Sequence, residues 1–534
     1  MTTEMPWLKH YDLGVPKSYN YKKVPLYELL EESTQRNPFK TAILYNDNTI
    51  TYTELNQMSD SFAFSLQKQG IKPGDRIMLS MPNIPETVVA YYGVLKAGGI
   101  VVNSNPLFTE PELEFILNDS GAIRVITFDL MYQKFANLIP KTKVEKIIVA
   151  PLGNFVSDSD QVVLFRDMLR EIDKPTRPSI NPQEDMAILQ YTGGTTGTPK
   201  GVMLTHLNLI ANATQIAGFS RATADDIFLS AIPFFHVYGM TTSMNIPIMY
   251  GATFAPYPFP RDTEGLIKAI VKYKPTLFYA VPTMYAAINS FPGVENYDLT
   301  SIRLCVSGGA ALADNVRNTF EALTGCKMRE ALGMTEATTG CSCSPCVGMR
   351  KEGVGIPFPD EIMATIDADG NFLPPGEAGE LVIKGPNVMK GYWNDPEATK
   401  KTFVGDGTWV RTGDVVQMDE DGYFMVIDRL KDVIITSGYN VYSLEVENVI
   451  YQNSKVMEAA VVGVPDPIKG EIVKAFLAPK PGENIDKDEI IQLCEQNLAP
   501  YKVPRQIEFL TELPKSNVGK ILKKELKKQL TGTG

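Results

Sequence analysis

Short β-branched runs alternate with helix-length amphipathic stretches along the first part of the chain: Arg76 to Ser80, Pro85 to Ala97, Gly99 to Val102, Pro111 to Asp119, Ala122 to Phe128. Strands separated by such stretches pair in parallel and carry their helices on the faces of the sheet. The rhythm returns at Thr276 to Ala280 and Ile302 to Ser307, which makes the larger part of the chain one multi-lobed α/β body. At 534 residues the chain exceeds the roughly 250 to 300 at which a single core stops growing, so it must divide. From about Glu377 the texture changes to shorter strands with turn signals, at Gly379 to Lys384, Asp419 to Gly422 and Tyr423 to Asp428, which predicts a β-rich lobe. Asp428-Arg-Leu-Lys-Asp432 then places four charges in five residues between two apolar strands, the signature of a hinge. The expected fold is α/β, with a large N-terminal domain of parallel α/β sheets plus the β-rich lobe over residues 1–427, a hinge at 428–432, and a small mobile α+β domain over 433–534.

Composition narrows the function classes. Lys plus Arg number 51 against 62 Asp plus Glu, a net charge of −11, and a general nucleic-acid binder needs the opposite surplus. With 44% hydrophobic and 21% charged residues, wholesale disorder is excluded. Five of the six cysteines lie between Cys305 and Cys346, too clustered for a disulfide framework, and residues Met1 to Tyr11 hold no apolar run of the kind that export requires. A reducing, cytoplasmic setting is expected. Ile227 to Pro260 contains no Asp, Glu, Lys or Arg, yet its five prolines would break the backbone ladder that lipid demands, so it reads as a buried wall rather than a span. Val518 to Leu530 carries apolar residues at spacings of four with lysines between; it reads as a surface helix docking one face, with peripheral contact to an anionic membrane as the alternative. Cys341-Ser-Cys-Ser-Pro-Cys346 has no second ligand pair, and reads as a small-residue lining rather than a zinc site.

The strongest local signal is Tyr191-Thr-Gly-Gly-Thr-Thr-Gly-Thr-Pro-Lys-Gly-Val202, with four glycines, four threonines and one lysine in twelve residues. Glycines let backbone N–H groups approach anionic oxygens, hydroxyls donate further hydrogen bonds, and the lysine adds charge, so the loop is built for phosphate. It is not a Walker A loop, because Pro199 precedes the lysine and Gly201 follows it.

With this loop come Pro233-Phe-Phe-His-Val-Tyr-Gly239, Ser307-Gly-Gly-Ala310, Leu332-Gly-Met-Thr-Glu336, Trp409-Val-Arg-Thr-Gly-Asp414, Asp428-Arg-Leu-Lys-Asp432 and Pro514-Lys-Ser-Asn-Val-Gly-Lys520. In this order the segments resemble the adenylate-forming superfamily of acyl-CoA synthetases, firefly luciferases and nonribosomal peptide adenylation domains, over nearly the whole chain, and most of all its medium- and long-chain fatty acyl-CoA synthetases. The resemblance implies ATP, Mg2+ and CoA as cofactors and a small-molecule carboxylic acid, foremost a medium- or long-chain fatty acid, as substrate, converted first to an acyl-adenylate and then to a thioester. It implies that Thr192, Gly193, Gly194, Thr195, Thr196 and Lys200 hold phosphates. Thr335 would touch the α-phosphate and Glu336 ligate magnesium. Ser307, Gly308, Gly309, Glu330, Ala331 and Leu332 would complete the nucleotide site, and Asp414 and Arg429 would meet the ribose. Lys520 would bridge carboxylate and α-phosphate, a role suited to an ammonium whose ordinary pKa is about 10.4. Asp428 would be the pivot, and Gly438 would lie along the CoA path.

By the same resemblance His236 flanks the acyl carboxylate, and Val237, Met240, Val281, Met284, Gly309, Gly333 and Met334 line the acid pocket. Gly333 stands where short-acid members carry tryptophan, which implies an open pocket; apolar walls would gain about 0.8 kcal/mol per buried CH₂. Two departures stand out: Leu332 replaces an aromatic residue against adenine, and Ser443 replaces a proline often found after Val441-Tyr442. The rival readings are a luciferase-like oxygenase, a ligase loading a carrier protein, an aryl or alicyclic acid ligase, and a nucleotide-binding protein without activity. The sequence leaves monomer and homodimer both open.

Overall fold

In a computed structural model that describes residues 5–171, 173–192, 199–480, 482–516 and 520–531, two large sheets share one core. The predicted strands appear within a residue or two of their expected places, as Arg76–Leu79, Ile100–Asn103, Arg124–Phe128, Leu277–Ala280 and Leu304–Ser307. The first three belong to an eight-stranded sheet, mostly parallel, in which Arg76–Leu79 lies between the other two. The last two pair in parallel inside a nine-stranded sheet closed at each edge by antiparallel strands. A helix such as Pro85–Lys96 starts with proline at its first turn, where no intrahelical N–H is missed, and buries nearly every side chain between the layers.

The charge-free segment folds as strand Ile227–Ser230, a helical stretch over Val237–Met240, Thr241–Asn245 and Ile246–Tyr250, and strand Thr253–Pro256. Its middle, Thr241–Asn245, is a π-helical turn, a local widening often found at functional sites. Tyr92 donates to Asn245 Oδ1 at 2.9 Å, so the polar group that this widening buries is satisfied. Among the described residues no helix is long and apolar enough to cross a membrane.

The β-rich lobe is a five-stranded sheet including Ile362–Ile366, Ala378–Lys384, Trp409–Met418 and Phe424–Arg429. A last five-stranded sheet, with helices Ser443–Ile450 and Lys487–Asn497, forms its own core around Val461, Ala475 and Leu477. The terminal helix begins at Lys523; Val518, where the apolar spacing started, lies outside the described residues. Just before it Leu522 N donates to Pro514 O at 2.8 Å and Lys515 bridges Ile521, so residues 520–522 fold back on 514–516 and are unavailable for helix. Leu526 docks, fully buried, as the spacing of apolar residues required.

Candidate active site

The threonine- and glycine-rich segment joins two antiparallel strands, Met186–Thr192 and Lys200–Thr205, in which Thr192 and Lys200 are register partners. Gly193, Gly194, Thr195 and Thr196 lie outside the described residues, but the loop's two ends are thereby fixed side by side. Beyond Lys200–Thr205 pairs the short strand Gly391–Tyr392. The Lys200 ammonium sits 5.0 Å from the centre of the Tyr392 ring. Tyr392 Oη in turn donates to Glu336 Oε1 at 2.7 Å, and burial, then the Glu336 charge, raise that phenol's pKa. Lysine, tyrosine and carboxylate from three distant segments therefore converge. Tyr392 was missed by the sequence reading, since an aromatic residue beside a glycine carries no signal of its own.

Glu336 rides on a single turn, Thr335–Ala337, followed by Thr338 at φ 65°. A β-branched residue rarely adopts positive φ, and such strain persists only where neighbours over-determine it. Thr338 Oγ1 donates to Asn387 O at 2.7 Å and Thr339 Oγ1 to Val237 O at 2.9 Å, which ties this turn to the helix that follows His236.

Asp414 and Arg429 face each other across paired strands, with Arg429 Nε 2.8 Å from Asp414 Oδ1. Burial raises the Asp414 pKa, and Arg429 and then Lys520 counter it. Lys520 reaches this place from the last sheet. Its pKa falls to about 8, mainly through burial and then through Arg429, with Asp414 opposing. His236 is driven down to about 4 by burial and then by Lys520. Its Nδ1 accepts from Tyr238 N at 3.2 Å, so the neutral ring caps the helical turn Val237–Met240. Lys520 therefore lies near enough to His236, Asp414 and Arg429 to exchange electrostatic influence with each, and the region around it is the candidate cleft.

The apolar wall is tightly organised. Val237 and Met240 are buried in the main core, whereas Met284 packs against the second core on the other face of the nine-stranded sheet. Gly309 has φ 83°, and a Cβ there would meet Val281 at 3.6 Å, which brings Val281 to the glycine turn. A Cβ on Gly308 would lie 3.3 Å from the Tyr238 ring, another residue that the sequence reading passed over. Ser307 Oγ is buried without a partner among the described residues, a polar atom suited to a ligand. Ala331, Leu332 and Met334 are partly buried against the main core.

Three of the expected site positions have local demands of their own. A Cβ on Gly333 would stand 1.7 Å from Thr339 O, so the backbone itself demands glycine there, whatever the size of the acid. Burial pushes Glu330 up to about 7 against the pull of Arg317, whose Nη1 lies 3.7 Å away, so its side chain already has a partner in the protein. Gly438, at φ 80°, has nothing within 4 Å of a Cβ position and sits on the exposed turn between strands Ile434–Thr436 and Tyr439–Val441.

Known proteins share this fold. The chain is 40% identical to a long-chain-fatty-acid–CoA ligase of Bacillus subtilis strain 168 across 99% of each chain, and 38% identical to one of Salmonella typhimurium across 98% of each. The structure of ATP-bound MatB from Rhodopseudomonas palustris matches with a TM-score of 0.87 at 29% identity, over 96% of this chain and 99% of that one. That of the anthranilate CoA ligase AuaEII in complex with anthranoyl-AMP matches with a TM-score of 0.89 at 28% identity, over 96% and 97%. The family description for the AMP-binding enzymes matches residues 30–393, and that for the AMP-binding enzyme C-terminal domain matches residues 445–520. Lys200, Glu336 and Tyr392 fall within the first match and Lys520 ends the second, so the cleft is assembled from both matched blocks, and the chain belongs to the AMP-binding enzyme family.

Proposed function

We propose that the protein is an ATP- and CoA-dependent acyl-CoA synthetase acting on medium- or long-chain fatty acids. The observation that carries this reading is the placement of Lys520 beside His236, Asp414 and Arg429, which sets a buried cation from the C-terminal unit against the cleft of the body. The acid preference rests on the near full-length likeness to the fatty-acid ligases.

In the first half-reaction the substrate carboxylate attacks the α-phosphorus of ATP, the bond to the β-phosphate oxygen breaks, and pyrophosphate leaves. Both partners are anions, so positive charge and positioning supply the catalysis. Lys520 bridges the two as charge builds. Lys200 and Thr192 hold the outgoing phosphates, and Thr335 contacts the α-phosphate. Asp414 offers its acceptor oxygens to the ribose hydroxyls while Arg429 keeps that carboxylate ionised and oriented. Glu336 presents a hard carboxylate oxygen, oriented by Tyr392, which fits Mg2+; bound there, the ion would neutralise phosphate charge. In the second half-reaction the CoA sulfur attacks the acyl carbonyl, AMP leaves with the bonding electrons, and a thioester remains. His236, neutral at physiological pH, flanks the carboxyl group without adding charge.

The domain reading is part of the proposal: residues 1–427 hold the substrates, 433–534 form the mobile unit, and the chain pivots at Asp428 so that Lys520 withdraws before CoA enters. Gly438 would then lie along the CoA path. A reducing, cytoplasmic setting also belongs to the proposal, and its support is the near full-length likeness to bacterial fatty-acid ligases. The test is AMP release with CoA present across acids of graded length and ring content. Octanoate and longer acids should outpace acetate and benzoate; a preference for acetate would overturn the fatty-acid assignment, and no AMP from any acid would overturn the activity.

A further inference from the structure

Ser443 was an unexplained departure in the sequence, and the structure surrounds it with charge. Asp428 belongs by its backbone to Phe424–Arg429, paired with Val415 in the β-rich lobe, and is buried to 1% exposure. Its carboxylate leaves that sheet and reaches the helix Ser443–Ile450 of the C-terminal unit. There Oδ1 accepts from Ser443 Oγ at 3.0 Å, and Oδ2 accepts from Ser443 N. Tyr442, at the N-cap position, makes no side-chain cap, so the carboxylate serves this helix from fifteen residues upstream, where a helix N-terminus favours negative charge.

The chain of bonds continues. Lys523 Nζ donates to Ser443 Oγ at 2.6 Å and lies 2.7 Å from Glu447 Oε1. Glu447 Oε1 also accepts from Val461 N at 2.7 Å, which anchors it to the sheet behind. Lys523 opens the terminal helix only three residues after Lys520. Lys520 is itself tied by its backbone: Lys520 N donates to Ser516 Oγ at 3.1 Å, and Ser516 N to Lys520 O at 2.7 Å. A buried connection therefore runs from the body's Asp428 through Ser443 to Lys523 and the turn that presents Lys520.

We propose that Ser443 and Lys523 are positioning residues that clamp the C-terminal unit in the orientation that delivers Lys520 to the cleft. Both bonds to Asp428 are donated by Ser443 to the carboxylate of the residue at which the chain pivots, so turning about that point strains or breaks them. The clamp favours the first half-reaction and opens for the second. This inference rests on the proposed two-step synthetase, and its test separates the two ideas.

Position 443 lies in the first turn of a helix, where proline is tolerated. Ser443→Pro thus removes both donors to Asp428 without breaking the helix, and Lys523→Met removes the ammonium while keeping the apolar stem. In the full-length protein, adenylate formation is read by acid-dependent exchange of labelled pyrophosphate into ATP, and the second step by thioester formation from supplied acyl-adenylate and CoA. Exchange should fall by about 10- to 100-fold in each variant, as expected for lost hydrogen bonds to a charged group, with thioester formation unchanged or faster. Lys523→Arg should restore most of the exchange. Equal loss in both half-reactions, or exchange at the unaltered rate, would overturn the clamp. If Ser443→Pro does not fold, Ser443→Ala and Lys523→Met are read instead against their double variant, and additive effects count against the connection. Absence of exchange in the unaltered protein would instead overturn the synthetase reading.

Discussion

Asp414 and Asp428 stand on facing strands one register step apart, both nearly sealed from solvent, and they meet opposite partners. Asp414 is held by a guanidinium on its own sheet, Arg429 at 2.8 Å, and both residues belong to the lobe that carries them. Asp428 points the other way and spends its oxygens on the C-terminal unit. Successive residues of a strand point to opposite faces, so in the proposed cycle one hairpin would supply a fixed ribose site on one side and a releasable joint on the other. Nucleotide geometry would then stay constant while Lys520 came and went.

The largest effect should separate these two roles. Lys520→Ala removes the one group that the C-terminal unit contributes to the first half-reaction in this proposal. Pyrophosphate exchange should drop by about 1000-fold, the scale of losing an electrostatic stabiliser of the transition state. Thioester formation from supplied acyl-adenylate should stay within a few-fold of the unaltered rate, since Lys520 has left by then. An equal loss in the two assays would mean that the cleft does not alternate. Asp414→Asn strikes the fixed side instead. It leaves Arg429 without its counter-charge and weakens the ribose acceptor, so the KM for ATP should rise by about 100-fold, with the KM for the acid nearly unmoved.

A third test uses pH. Burial and Arg429 lower Lys520 to about 8, so in the free enzyme the ammonium is lost as pH climbs through that value. The kcat/KM for ATP in adenylate formation should therefore fall about tenfold per pH unit above it, because this parameter reports the free enzyme. His236, already neutral from about pH 4 upward, adds no limb in that range. Thioester formation from supplied adenylate should lack the alkaline limb, and finding the same limb in both steps would remove Lys520 as its source.

The rhythm of strands and helices made the body legible from sequence, since residues such as Ile77, Val101 and Val125 are apolar because both faces of their sheet are covered. The charged run from Asp428 to Asp432 marked a junction that the structure does show, where strand Phe424–Arg429 of the β-rich lobe ends and strand Ile434–Thr436 of the last sheet begins; the pivot there belongs to the proposal. The start of the last helix was not legible, because the fold-back of 520–522 depends on backbone bonds to residues 514–516 that leave no trace in the apolar spacing. Gly333 was read through the acid it admits, yet its side-chain space is taken by Thr339 O, a backbone contact that no residue pattern announces. Ser443 and Lys523 are polar residues with ordinary neighbours in sequence; only a partner fifteen residues upstream in one case and eighty in the other reveals them.

Tyr392 is the same kind of residue on the fixed side, and its loss should give the smallest effect of the four. Tyr392→Phe keeps the ring beneath the Lys200 ammonium, and so keeps the cation over an aromatic face, but deletes the single hydrogen bond to Glu336. A hydrogen bond to a charged group contributes about 1.5 to 3 kcal/mol when fully buried; this partly exposed pair should give the lower end, roughly tenfold in adenylate formation. The loss should appear as a higher Mg2+ requirement, since what the phenol fixes is the orientation of the carboxylate offered to the ion, and excess Mg2+ should recover part of the rate. Tyr392→Ala would remove the ring as well and lower exchange further, with Mg2+ recovering less of it. A Tyr392→Phe enzyme with unaltered Mg2+ dependence would show that Glu336 is oriented by its strained turn alone, and would leave Asp428 and Ser443, rather than Tyr392 and Glu336, as the side-chain pair whose hydrogen bond sets the course of the reaction.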